Sequence, residues 1–348
     1  MLKIKNVSAV LLSACCLLIL PTVNAQTFEQ FMRGQPVIDV HLHLYRGDAK
    51  SEHYNPGGLQ NGATLDSLRE AWLIETLDRN QVVLAIGGGS VKYAKEYAKA
   101  DTRIWAGITF PCSKQVARDW PCEKEFMTLE ELKELYANHN LRAMGETLFN
   151  YYGIPPTDPR LDPYWAVAEA LQLPIGVHAD AGPNKVNERE RPNYRPDYAD
   201  PELLRPVLEK YPNLKLYLMH YGDTYSQQAL ALMRDYPGVY CDISAISLYQ
   251  PKEVWEPNLR MLYASRLGDR LMFGSDFEGT IEDNLRVIYN IGWLNEAQKR
   301  DIMYFNAARF LGLSESEKHL HHRVVLSKMQ EQRAKMEEQR VKNKDGNL

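Results

Sequence analysis

From Val37 to Asp276 the chain alternates short apolar, β-branched runs with stretches of helical periodicity. The runs are Val37–His43, Val82–Ile86, Ile104–Phe110, Leu141–Thr147, Leu173–His178, Leu214–His220, Val239–Ser244 and Leu271–Asp276. Between them the spacing predicts helices over Leu65–Arg79, Leu129–Ala137, Pro163–Leu171, Pro201–Lys210 and Gln227–Arg234, the second opened by a Thr128 and Glu131 capping box. A last helix is expected at about Asn295–Leu311. Strands that alternate with helices pair in parallel through right-handed crossovers, and eight such units close into a ring. The predicted fold class is α/β, a (β/α)8 TIM barrel in a single domain.

The two ends of the chain read differently. Lys3 and Lys5 precede the apolar run Val10–Leu20, and Val23-Asn24-Ala25 supplies a small-residue cleavage site, so residues 1–25 read as a signal peptide. Leu12-Ser13-Ala14-Cys15 resembles a lipoprotein box but lies in the middle of the apolar run, where the cleavage site should follow its end. The expected location is periplasmic or secreted. Pro21 closes the run short of a membrane span, and no other stretch approaches 18 apolar residues, so the sequence does not read as an integral membrane protein. Residues 26–313 then hold the barrel, and residues 314–348, rich in Glu, Lys, Arg and Gln, form a charged C-terminal helix or tail.

The chain's 348 residues, 45% of them hydrophobic, suffice for a globular core. Loss of the leader removes two lysines and no acids, taking the net charge from −4 to −6. A negative balance argues against a nucleic-acid partner, since phosphate binding needs a basic surface. Cys112, Cys122 and Cys241 remain after cleavage. In an oxidising compartment Cys112 and Cys122 would be able to pair, with Cys241 left as a buried thiol; three unpaired cysteines fit the sequence equally well.

The first strand carries the chemistry. In Val37-Ile38-Asp39-Val40-His41-Leu42-His43-Leu44 the apolar residues share one face and Asp39, His41 and His43 the other. In a barrel the apolar face meets the helices, so the imidazoles point inward near the C-terminal rim, where barrel active sites form. His178 ends the fifth run, His220 the sixth and Asp276 the eighth. Four histidines and a carboxylate converging on one rim would be costly to bury without a cation, which points to a divalent metal site. His319, His321 and His322 sit on the polar tail and read as solvent-facing rather than as a second site.

The chain resembles the amidohydrolase superfamily, in its amidohydrolase-related branch. The resemblance rests on Ile38-Asp39-Val40-His41-Leu42-His43, His178, His220, Phe273-Gly274-Ser275-Asp276 and Asn306-Ala307-Ala308-Arg309-Phe310-Leu311-Gly312, spread over about residues 36–313. It implies metal ligation by His41, His43, His178 and Asp276, with His220 as a catalytic imidazole or a further ligand. Glu146, ending the fourth run, departs from the simplest single-ion pattern. It stands where some two-metal members place a bridging acid, in which case His178 and His220 would hold the second ion. The resemblance favours a single zinc, and Glu146 keeps the two-ion form open.

Such a site would acidify a water and polarise a substrate oxygen, with Asp276 shuttling the proton and His220 stabilising developing negative charge. The expected function is a secreted metal-dependent hydrolase acting on an ester, lactone or amide of a small molecule. Two alternatives stay open: a metal-dependent decarboxylase of the same branch, and a metal-binding barrel without activity. Candidate substrate contacts lie in the loops after the strands: Tyr45, Arg46, His53, Tyr151, Tyr152, Lys185, Arg189, Arg195 and the segment Tyr221–Tyr225. Gly87-Gly88-Gly89 is expected to form a turn that permits close backbone approach. Self-association into a homo-oligomer is left open by the sequence.

Overall fold

Eight parallel strands form one sheet in the order of the sequence: β1 Val37–Leu44, β2 Val82–Gly89, β3 Ile104–Ile108, β4 Ala143–Thr147, β5 Pro174–His178, β6 Lys215–Met219, β7 Tyr240–Asp242 and β8 Leu271–Met272. This is a computed structural model, and it describes residues 26–51, 53, 64–112, 126–182, 193–277 and 280–345. The leader expected over residues 1–25, together with Cys122, Lys185 and Arg189, lies outside the described residues. Cys112 is disulfide-bonded and Cys241 is a free, buried thiol.

Each strand is followed by helical chain, so every crossover is long enough to return and pair in parallel. Beyond β8 the segment Phe273–Asp276 turns back to β1: Val40 N donates to Phe273 O and Asp276 N donates to His41 O, each at 3.0 Å. The fold is a (β/α)8 TIM barrel. Ile38 and Val40 of β1 pack outward against Tyr304, Ala307, Ala308 and Phe310, as the alternation predicted. Val325 of the C-terminal helix Glu315–Asp345 is buried in the same cluster, so the charged tail is a helix that contributes to the core. The chain up to Arg33 forms a unit of its own, whose described part is a one-turn helix, Phe28–Phe31, capped by Thr27. Among the described residues no helix is long and apolar enough to cross a membrane.

Helix Leu65–Arg79 has the predicted bounds, while two others are broken. The expected Pro201–Lys210 helix begins as a 3-10 turn, Pro201–Leu204, because Pro206 has no N–H to continue the α ladder there; the α-helix is Arg205–Lys210. The expected Asn295–Leu311 helix is Glu296–Arg300 and Asn306–Leu311 joined by a π-helical turn, Asp301–Phe305.

Gly87–Gly89 is not a turn: these residues end β2, paired with Ala106–Ile108 of β3. The expected close approach is real. A Cβ on Gly88 would stand 1.8 Å from the Gly145 carbonyl oxygen and 2.5 Å from the Glu146 nitrogen, both backbone atoms. Gly145 itself has φ +102°, and a Cβ there would meet the Gly176 carbonyl at 2.3 Å. The strand carrying Glu146 is thus seated between two glycines. Gly88→Ala is expected to cost about 1–3 kcal/mol or more, because backbone must move to admit the methyl group; urea denaturation measures it, and wild-type stability would contradict this packing.

Candidate metal centre

The strand ends deliver their polar residues to one point inside the barrel mouth. His41 and His43 come from β1, Glu146 from β4 and His178 from β5; His220 and Asp276 follow directly on β6 and the β8 extension. His220 and Asp276 both have left-handed backbones, with φ of 61° and 52°. Non-glycine residues pay about 1–2 kcal/mol for this conformation. At His220 it falls directly after the last residue of β6, and at Asp276 it lies four residues beyond the end of β8. Such local strain is characteristic of functional sites.

The donor atoms cluster around the Glu146 carboxylate. Its Oε1 lies 2.5 Å from His178 Nδ1, 3.2 Å from His220 Nε2 and 3.6 Å from His41 Nε2, and its Oε2 lies 3.7 Å from His43 Nε2. Asp276 Oδ1 lies 2.5 Å from His43 Nε2 and 3.4 Å from His41 Nε2. His220 Nε2 and His178 Nδ1 are 3.2 Å apart. Three overlapping groups result, each compact enough to hold an ion: His41, His43, Glu146 and Asp276; Glu146, His178 and His220; and His41, His220 and Asp242. Neighbouring donors about 2.0–2.1 Å from a tetrahedral ion stand about 3.3 Å apart, which most of these separations match. The two 2.5 Å pairs are imidazole–carboxylate contacts that would need to open by under about 1 Å.

Hydrogen bonds behind the cluster set the tautomers. His220 Nδ1 lies 3.1 Å from the Ser244 carbonyl, which can only accept, so Nδ1 carries a proton and Nε2 is the ring nitrogen turned toward Glu146. His41 Nδ1 lies 2.8 Å from Ser244 Oγ, whose hydroxyl donates to Asp242 Oδ1 at 2.6 Å. The proton therefore sits on His41 Nδ1, and Nε2 faces the cluster. Asp242 also accepts from His220 N and Ser244 N and stands 3.3 Å from His41 Nδ1. A carboxylate behind a ligating histidine is the arrangement that orients the ring and raises its basicity.

The electrostatics favour a cation. Asp39, Glu146 and Asp242 are buried, and the Asp276 side chain is 21% exposed. Burial alone would raise Glu146, but the His178 and His41 imidazoles hold it well below the usual carboxylate range. Asp276 is likewise lowered against burial by His41 and His43. Burial would lower His41, yet Asp276 and Glu146 hold it well above its ordinary value. His220 is pushed up to about 9 against burial, chiefly by its hydrogen bond with Glu146. Asp39, below the cluster, is raised by burial to about 7 despite hydrogen bonds from Ser275 and the His41 N–H. A negative field that draws protons onto imidazoles draws a divalent ion to the same lone pairs. His41 Nε2 and His178 Nε2 are buried without a hydrogen-bond partner, and a buried orphan of this kind requires an explanation. For His41 Nε2, facing two carboxylates, ligation supplies one. The residues present fit a divalent ion.

All six sequence-predicted site residues meet here. The loop candidates are scattered. Tyr45 stacks on the His43 ring at 4.6 Å, and Tyr151 meets the His178 ring edgewise at 5.0 Å. Arg46 and Tyr152 line a pocket with Tyr45, Ser90 and Tyr93, and Glu146 also lines it. His53 stacks on Trp72, Tyr225 donates to the Pro196 carbonyl and Arg195 to the Tyr194 carbonyl. His319, His321 and His322 do not converge. His319 bonds its own helix at Glu315 O, His321 bonds Tyr304 Oη, and His322 lies over Phe305. Asp242 and Ser244 went unread in the sequence. An acid inside the apolar run Val239–Ser244 was the available signal.

The family profile described as amidohydrolase matches residues 38–313. No curated protein sequence matches the chain. Similar solved structures include an uncharacterised TIM-barrel protein from Bordetella bronchiseptica, with 16% identity, TM-score 0.55, and coverage of 80% of this chain and 98% of that one. Another is a protein from Acinetobacter baumannii described as a probable 2-pyrone-4,6-dicarboxylic acid hydrolase with citric acid bound, with 15% identity, TM-score 0.53, and coverage of 80% and 99%. At these identities the likeness concerns the barrel alone. With the profile spanning most of the chain over the strands that carry His41, His43, Glu146, His178, His220 and Asp276, the protein belongs to the amidohydrolase family.

Proposed function

We propose that the protein is a metal-dependent hydrolase whose centre, built around Glu146, would take two divalent ions, zinc being the favoured ion. The observation that carries this reading is the Glu146 carboxylate, set between the His41 and His43 pair and the His178 and His220 pair. Ions bound there would supply Lewis acidity, acidifying a water and polarising a substrate oxygen. His41, His43 and Asp276 would hold one ion and His178 and His220 the other, with Glu146 beside both sets. Asp276, at the more open side of the cluster, accepts the proton of the attacking water at a carboxylate oxygen and returns it to the leaving group. With Nδ1 committed to the Ser244 carbonyl, His220 would give up its Nε2 proton to a bound ion and serve as a ligand through that nitrogen.

The substrate enters over the pocket beside Glu146, where Tyr45, Tyr93 and Tyr152 offer aromatic surface and Arg46 a cation. That lining suits an ester, lactone or amide of a small aromatic or carboxylate-bearing molecule. We further propose that residues 1–25 export the protein to the periplasm or beyond, which suits scavenging of such compounds. The test is a metal-supplemented panel of small esters, lactones and amides, run beside aromatic-acid decarboxylation with elemental analysis of the same sample. Hydrolysis by a sample with bound metal is expected. Decarboxylation alone would replace the reading with a lyase, and stoichiometric metal with neither reaction would leave a binding barrel.

A further inference from the structure

Arg69, on helix Leu65–Arg79, is 6% exposed, and its Nη2 donates to the His43 carbonyl at 3.3 Å. Its guanidinium carbon lies 5.7 Å from the centre of the Tyr45 ring, 6.0 Å from Trp72 and 5.8 Å from Phe277. Its Nε has no hydrogen-bond partner. Two of these contacts are with the chain segments that present a site residue: Tyr45 follows His43 by two residues, and Phe277 follows Asp276 directly. Tyr45 also stacks on the His43 ring at 4.6 Å with an interplanar angle of 16°, and Trp72 touches Phe277 at 4.8 Å. His43 and Asp276 in turn meet each other at 2.5 Å across 233 residues of sequence.

We infer that Arg69 is a positioning residue for the metal centre, clamping the β1 end and the β8 end so that His43 and Asp276 present their donor atoms to one ion. The inference rests on the metal-centre reading above. A planar cation is suited to this place, because one group can donate in its plane to the His43 carbonyl while its faces and edges meet aromatic rings. An uncharged residue would leave the carbonyl and the rings without a common partner. The helix after β1 then sets the geometry of two ligands that it does not itself carry.

The experiment measures Co2+ affinity and the Co2+ visible spectrum of wild type, Arg69→Met and Arg69→Lys, alongside thermal unfolding of the metal-free proteins. Wild type is expected to bind Co2+ with the spectrum of a nitrogen- and oxygen-ligated site. Arg69→Met is expected to bind about 10–100-fold more weakly, the usual effect of removing a group behind a ligand, and to shift the spectrum. Arg69→Lys, which keeps the charge and a donor without the plane, should recover part of both. Wild-type affinity and spectrum in Arg69→Met would overturn the positioning role. Should Arg69→Met not fold, Arg69→Lys decides the matter, since the role requires weaker binding and a shifted spectrum there too. A wild type that takes up no Co2+ would instead overturn the metal-centre reading.

Discussion

Asp276→Asn is expected to lower kcat by about 10³-fold, within the 10²–10⁴ range that general acid–base groups supply, while wild-type metal content persists at saturating metal. The two effects separate because the substitution is isosteric. An amide oxygen would still stand beside His43 Nε2, and His41, His43 and Glu146 would continue to hold the ion. What is lost is basicity. His41 and His43 hold Asp276 below the usual carboxylate range, so it is ionised throughout the neutral region and free to take a proton from water near the ions; an amide cannot do so. Steady-state kinetics beside elemental analysis checks the split. Equal, modest losses of turnover and metal would assign Asp276 to ligation alone.

The second large effect is expected at Glu146. Glu146→Gln should reduce metal content from about two ions per chain toward one and remove most activity. Two divalent ions repel four times as strongly as two unit charges at the same distance, and a carboxylate between them offsets that repulsion where a neutral amide does not. Gln is close in shape to Glu, so the barrel should fold, and circular dichroism with metal titration separates loss of an ion from loss of structure. A wild type holding one ion, with Glu146→Gln retaining it, would reduce Glu146 to a group that orients His178 and His220, to which it already stands at 2.5 and 3.2 Å.

Much of the fold was visible in local patterning. The eight runs from Val37 to Asp276 mark all eight strands, and the period of two in β1 assigns Ile38 and Val40 to the helices and His41 and His43 to the interior. The errors fall where local signals conflict. Three successive glycines, Gly87–Gly89, read as a turn because glycine favours turns, yet the barrel uses them in a strand where the β4 backbone crowds Gly88 and Leu44 of β1 crowds Gly87 and Gly89. The run Val239–Ser244 is a strand only over Tyr240–Asp242, because Asp242 and Ser244 bend into the hydrogen-bond network behind His41 and His220.

Strand number, the inward set of His41 and His43, and the placement of His178, His220 and Asp276 at strand ends are properties of the sequence by itself. They follow from short-range periodicity and from the rule that catalytic groups sit where parallel strands end. Which atoms meet was decided only by the tertiary structure. Glu146 lies between two histidine pairs from strands up to 105 residues before it and 74 after it in the chain. His41 owes its tautomer to Ser244, 203 residues away, and His43 meets Asp276 across 233. Such contacts depend on the register of eight paired strands and on the left-handed backbones at His220 and Asp276. Local patterning does not encode them, because periodicity determines the face a residue occupies, while closure of the sheet determines what stands opposite.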